Sequence, residues 1–333
     1  MKKCILIFIS VFTLTSNTSA QDGFDGYLLA DNNDRSKLIE AYINPAMKGL
    51  IYGMNNGWYH TAKVHKPFGF DISIGLNASL VPGKDEMFTL SGLTSINSGS
   101  ITAATVAGSE NTTPSTTVSF VEGSQTYSTT FNAPGGVKER LPISAIPAPA
   151  VQLNLGLPGK FEASLRFVPK VGSDDVKGNL FGIGLKKEIT SWFGPMDKTP
   201  LHVSLLAAYT SMNVDYNIES SGDITIQNGS TNFKLNAYTF QAIASLNFPI
   251  INVYGGIGYG TGNSTLKMKG EYTLSYGGAL TRTLNDPINS EFNASGFRTT
   301  IGTRLSLGFF KIFADYTLQE YNTANLGIAF SFR

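Results

Sequence analysis

The sequence predicts an all-β chain: a transmembrane antiparallel β-barrel of ten to fourteen strands, with a short N-terminal helical plug. Three observations carry this reading. The chain opens on an export leader, and most of the remaining sequence alternates apolar and polar residues with a period of two. Charged residues make up only 15%, against ~25% in a usual soluble domain, while glycine (35 residues) and aromatics (11%) are plentiful.

The leader comes first. Lys2 and Lys3 form a positive start, Ile5 to Leu14 an apolar run, and Thr18-Ser19-Ala20 a small-residue cleavage site. Cleavage is expected after Ala20, giving residues 1–20 as signal peptide and a mature start at Gln21. The apolar run is shorter than the ~18 residues that span a membrane. The one cysteine, Cys4, lies inside the leader, so the rest carries neither disulfide nor thiolate metal site. A formal charge of +1 without a basic run leaves no basis for a nucleic-acid partner. No metal or cofactor motif is present, and none is expected to bind.

Residues 21–67 read as the plug. Asn33 or Asp34 would cap a helix through "RSKLIEAYI", and Pro45 suits the first turn of a second helix, "PAMKGLIYG". Gly53 and Asn55-Asn56-Gly57 would end it. A mainly apolar helical hairpin ahead of a barrel belongs in the lumen or under the periplasmic mouth.

Residues 68–333 read as the barrel. In "GFDISIGLNASL", Phe70, Ile72, Ile74, Leu76, Ala78 and Leu80 share one face, and Asp71, Ser73, Gly75, Asn77 and Ser79 the other. "VQLNLGL", "FEASLRF" and "FRTTIGTRLSLGF" repeat the pattern. Ten clear strands fall near 69–82, 149–157, 160–169, 178–193, 200–218, 233–248, 252–275, 295–309, 311–319 and 324–333, with further hairpins expected in 83–148. A soluble sandwich would turn the apolar faces inward; a membrane barrel turns them to lipid. Small residues on the polar face favour the barrel, as does the alternation of tight turns (157–160, 247–252, 309–313) with long loops (219–232, 276–294). So does the ending "NLGIAFSFR", in which Leu326, Ile328, Phe330 and Phe332 alternate with small residues. It resembles the terminal signal that outer-membrane proteins present to the barrel-assembly machinery. With a periplasmic N-terminus, the first strand runs outward and the tight turns fall on the periplasmic side. The Ser/Thr-rich stretch 94–133 reads as a flexible external loop.

"NPAMKGL", a Gly-rich turn, and "PFGFDISIGLNASLVP" running into the first strand together resemble the start of FadL-type outer-membrane transporters. The similarity covers about residues 40–82, and the chain also resembles uncharacterised Gram-negative outer-membrane barrels with such a hatch. It implies an Asn-Pro-Ala hatch inside a fourteen-stranded barrel that carries hydrophobic compounds. On that resemblance the expected function is passive uptake or binding of small, fatty-acid-like molecules. Asn44, Pro45, Ala46, Met47, Leu50, Met54 and Trp58, with Ile39, Tyr42 and Ile51, would line an apolar patch. The rival is a non-transporting barrel that serves as secretion-system subunit, adaptor or surface scaffold.

No enzymatic constellation is expected. His60 and His65 have no carboxylate near them in sequence. His202 and Ser204 in "LHVSL" resemble the His-x-Ser site of outer-membrane lipid A deacylases, but alternation turns both into the lumen, away from lipid. The remaining candidates are the lumen-facing charges Asp71, Glu162, Arg166, Lys186, Arg298, Arg304 and Asp315. They are expected to pair with one another or to anchor the plug rather than to select solutes.

Overall fold

In the computed structural model the described residues are 24–122, 124–141, 144–173, 176–218, 224–276 and 280–332, so the predicted leader lies outside them. A short 3₁₀ turn, Asp25–Leu29, leads into helix α1, Asn32–Met54. Sixteen strands come after it among the described residues. They are β1 Phe70–Leu80, β2 Met87–Thr89, β3 Ile96–Ser98, β4 Thr102–Ala104, β5 Ser115–Glu122, β6 Gln125–Asn132, β7 Ala145–Leu157 and β8 Phe161–Gly172. Then come β9 Val176–Glu188, β10 Leu201–Asn217, β11 Ile224–Asn247, β12 Ile251–Tyr276, β13 Leu280–Asn285, β14 Ile288–Leu307, β15 Phe310–Leu318 and β16 Thr323–Phe332.

Ten of these strands form a closed antiparallel ring, β1-β7-β8-β9-β10-β11-β12-β14-β15-β16 and back to β1, with β13 flanking the far end of β12. They are the ten strands read from the alternation. Ten is the low end of the expected range, because the hairpins in 83–148 stay out of the wall. They form two small sheets, β2-β4 and β3-β5-β6. Wall strands need a continuous apolar outer face, which the Ser/Thr-rich alternation does not supply. Closure through β1 and β16 pairs Phe70 with Phe332 and Ser79 with Thr323, leaving no edge at the seam.

The same alternate positions face inward along the long strands, but the polarity of that inward face inverts. In β12, Val253, Ile257 and Tyr259 point outward near the tight-turn end, while Leu266, Met268, Tyr272, Leu274 and Tyr276 point inward further on. In β11, Tyr238, Phe240 and Leu246 face outward, but Phe233, Leu235 and Ala237 face inward. The outward apolar stretches, Tyr238 to Leu246 and Ile251 to Tyr259, have about the 9–11 residues a tilted strand needs to cross hydrocarbon. Aromatic pairs stand at both margins: Tyr209–Tyr238 and Tyr259–Phe297 above, Phe70–Phe332 and Phe309–Phe330 below. Each long strand is thus a membrane strand for half its length and a strand around an apolar core for the other half.

That core corrects three expectations. The stretches 219–232 and 276–294 are largely ordered ribbon within β11, β13 and β14; residues 219–223 and 277–279 lie outside the described residues. The described residues of the stretch 94–133 are ordered too. Val118 and Ala103 are fully buried, Phe131 packs edge-on to Tyr27, and the Val106 N–H donates to the Tyr42 carbonyl. Finally, the plug is one helix rather than two. Asp31 caps it by accepting from the Asp34 N–H at 2.8 Å, and Pro45 sits within it. An interior proline costs about 3 kcal/mol. Burial of Tyr42, Met47, Ile51 and Met54 against the inner wall offsets that cost, each buried large apolar side chain contributing ~1.5–3 kcal/mol.

Helix direction brings a further correction. Residues 24–30 sit at the ribbon end, where the Tyr276 hydroxyl donates to the Leu29 carbonyl at 2.8 Å. The chain therefore descends through the barrel and emerges at the tight-turn end, where β1 begins. Its first described residues lie opposite the expected periplasmic side, although β1 still runs away from the tight turns.

Candidate functional site

Helix α1 ends where the chain meets the membrane half of the lumen, and "MNNGWYHTAKVH" takes over. Asn55 is the last cap and Gly57 adopts φ +70°, a left-handed conformation that glycine takes without strain. From Met54 to His65 this stretch hydrogen-bonds to nine of the ten wall strands, and His60 and His65 lie 3.2 and 3.3 Å from Asp71 of the tenth, β1.

The helix end is gripped first. Arg166 of β8, fully buried, donates to the carbonyls of Met54 (3.0 Å) and Asn56 (2.8 Å) and to Gln152 Oε1 (2.9 Å), with its guanidinium 3.8 Å over the Trp58 ring. Arg298 of β14 donates to the Asn55 carbonyl at 2.8 Å and to Asn56 Oδ1. The final carbonyls of a helix have no intrahelical donors and carry its negative end. Two wall arginines supply both the donors and the opposite charge. Asn55 Nδ2 donates to the Thr261 carbonyl of β12 at 3.1 Å, and Thr317 of β15 donates to Asn56 Oδ1 at 2.9 Å.

Trp58 needs room, and glycines give it. A side chain at Gly182 or Gly184 of β9 would put its Cβ 3.1 Å from the indole. Gln152 of β7 donates to the Trp58 carbonyl at 3.1 Å, and the Tyr59 hydroxyl donates to Gln241 Oε1 of β11 at 3.2 Å. Ser204 of β10 donates to the Ala62 carbonyl at 2.5 Å, while the Ala62 N–H donates to Ser245 Oγ at 3.0 Å.

Three histidines complete the attachment near the tight-turn end. Arg304 Nη1 lies 2.9 Å from His60 Nδ1, and His60 Nε2 lies 3.2 Å from Asp71 of β1. An arginine can only donate, so His60 accepts through Nδ1 and is neutral with its proton on Nε2. The ring is buried and stacks on Phe313, with centroids 4.9 Å apart. His65 Nδ1 lies 2.8 Å from Glu162, and its Nε2 lies 3.3 Å from Asp71 and 3.4 Å from Ser331 Oγ of β16. Lys186 binds Glu162 at 2.6 Å and the Thr61 carbonyl at 3.3 Å. His202 lies 2.9 Å from Glu188, which also accepts the Val64 N–H at 3.1 Å.

The structure thus brings six of the seven lumen charges to the plug or to one another, Asp315 being the exception. Asp315 is held by the Tyr254 hydroxyl at 2.9 Å and by Asn325 at 2.7 Å, its register partner on β16. His60 and His65 each have a carboxylate within 3.3 Å, which their sequence neighbourhood did not show. His202 and Ser204 face inward, but each has its own partner, so they form no base–nucleophile pair.

The apolar plug residues are less available than a lining requires. Met47, Met54 and Trp58 are 8%, 3% and 2% exposed, and Pro45 is buried too. Ala46 and Leu50 pack against the same core as partly buried residues. Asn44 instead lines a polar cleft of about 400 Å³ with Lys37, Glu40, Glu291 and Asn293. Sequence reasoning missed Gln152, Glu188, Gln241 and Ser245, although all four occupy inward positions of their strands. It took Asn55 and Asn56 for a helix stop alone.

A family profile described as "Family of unknown function (DUF6588)" matches residues 1–332. The chain belongs to the DUF6588 family. No curated protein matches the sequence. Solved structures similar to this DUF6588 barrel include the outer membrane protease OmpT from Escherichia coli, at 8% identity and TM-score 0.33, covering 82% of this chain and all of that one. Others are the translocator domain of autotransporter NalP from Neisseria meningitidis (10% identity, TM-score 0.31, 81% and 90% covered) and the attachment invasion locus protein Ail of Yersinia pestis (11%, 0.29, 80% and 100%). The likeness is weak in each case, and the barrel stands on its own pairing register. That register also corrects the fourteen strands implied by the transporter resemblance.

Proposed function

We propose that this DUF6588 protein is a non-transporting barrel of the Gram-negative outer membrane, closed by its own N-terminal segment and serving as a surface scaffold or adaptor through its ribbon end. One observation supports this above the rest: the stretch Met54–His65 is hydrogen-bonded to nine wall strands and set against Asp71 of the tenth, across the level of the outward apolar band. A plug held on every side is a structural member. The band itself supports the outer-membrane location, since strands cross a membrane only as a closed barrel with an apolar outer face.

Uptake of small hydrophobic molecules, the transporter-like reading, would need a concave apolar patch in the lumen. The side chains that could form one are packed into the core or under Arg166. Planar-bilayer recording tests the choice. The wild-type protein is expected to give no steady conductance and no change in uptake of labelled fatty acid by a deletion strain. Stable channels, or uptake lost on deletion and restored by the wild-type gene, would overturn the proposal.

A further inference from the structure

The outward face of β9, β10 and β11 carries a furrow of about 500 Å³. Strand register fixes its plan. One row sets Lys187, Leu205 and Ala242 side by side, and the next sets Leu185, Ala207 and Phe240. The two alanines therefore lie diagonally, as a low track between Leu185, Leu205 and Phe240, which stand 48%, 46% and 58% exposed. Toward the ribbon end the track is shut by Tyr209 and Tyr238, with ring centroids 4.9 Å apart. Toward the tight turns it continues past Val203 and Ala244, which are paired in the next row.

A cation waits at that open end. Lys187 places its ammonium 4.1 Å over the Phe161 ring and donates to the Gly159 carbonyl of the adjoining tight turn. Its stem crosses the apolar margin while its charge sits at the rim, the usual posture of an interfacial lysine.

We propose that the furrow is a binding site for one glycerophospholipid, with an acyl chain lying along Ala207 and Ala242 and the phosphate on Lys187. The proposal rests on the outer-membrane reading, because only there does this face meet lipid. Three features select this occupant. The track is apolar along its length, so it takes hydrocarbon. It is closed at the ribbon end, so the chain enters from the tight-turn side. A fixed positive charge at the mouth matches an anionic headgroup.

The test uses the full-length protein, stripped of lipid in detergent and offered phosphatidylglycerol in mixed micelles, with bound lipid counted by native mass spectrometry. Wild type is expected to hold one phosphatidylglycerol through the mild activation that clears loosely associated lipid. Filling the track with Ala207→Leu plus Ala242→Leu should weaken retention about tenfold. Lys187→Met, which keeps an unbranched apolar stem of similar length and removes the charge, should weaken it by about threefold. Heat-modifiable gel mobility confirms that each variant still forms the barrel. Equal retention by all three proteins would overturn the site while leaving the outer-membrane reading intact. A monomer that stays soluble without detergent would sink the outer-membrane reading itself, and the lipid site with it.

Discussion

Arg166 offers the sharpest test of how the plug is held. Replacing it by methionine keeps the bulk of the stem and removes the guanidinium. Three charge-assisted hydrogen bonds go, to Gln152 and to the carbonyls of Met54 and Asn56, along with the stack on Trp58. Bonds to a charged group contribute ~1.5–3 kcal/mol each, and a desolvated cation–π contact ~2 kcal/mol. That gross sum overstates the effect, because the variant also escapes the cost of desolvating a fully buried charge. What remains is the penalty of three stranded neutral acceptors, ~1–3 kcal/mol each, so a loss of about 3–5 kcal/mol, toward the lower end of that sum, is expected. At about 2 °C per kcal/mol for a chain of this size, the detergent unfolding midpoint should fall by roughly 6–10 °C. Arg166→Lys should fall between, since an ammonium cannot span three acceptors in the fork geometry. Lys170→Met, which removes an ion pair to Asp215 with side chains 56% and 38% exposed, should change stability by less than about 1 kcal/mol. The assay is heat-modifiable mobility against temperature. An Arg166→Met midpoint within the error of the Lys170→Met control would refute the view that wall arginines hold the plug.

The same contacts yield other expected outcomes. Gly184→Val should destabilise by about 1–3 kcal/mol by driving a side chain into Trp58, read as quenched or shifted tryptophan fluorescence together with a lower midpoint. Cysteines placed at Lys267 or Glu291 of the ribbon end should react with impermeant maleimide on whole cells, and one at Gly159 should not, in a chain whose only native cysteine is Cys4. An epitope ahead of Phe24 should likewise be reached from outside; detection only after permeabilisation would invert the proposed orientation.

How much was legible in advance depends on the range of the interactions involved. The ten wall strands were readable because a strand that faces lipid on one side and a filled lumen on the other writes its environment into every second residue, as Ile72, Ile74 and Leu76 against Ser73, Gly75 and Asn77 show. The inward charges were readable for the same reason. The inversion in β11 and β12 was also present, since Leu266 and Met268 alternate with Lys267 and Lys269. Period two alone, however, does not say which face is inside.

Only the tertiary structure decided that question, because the answer depends on what fills the enclosed space. A polar attachment stretch fills it beside Gln241 and Ser245; an apolar helix and the 94–133 cap fill it beside Leu235 and Leu266. The single helix through Pro45 was settled the same way, by burial against distant strands outweighing a local preference to break. The pairing of Arg166 with Met54 and Asn56 spans more than a hundred residues of sequence, and no local pattern encodes it. The sequence by itself determined which residues must avoid water and which must find polar partners. Ring closure determined who those partners are, because it alone brings ten strands within hydrogen-bonding distance of one short stretch of chain.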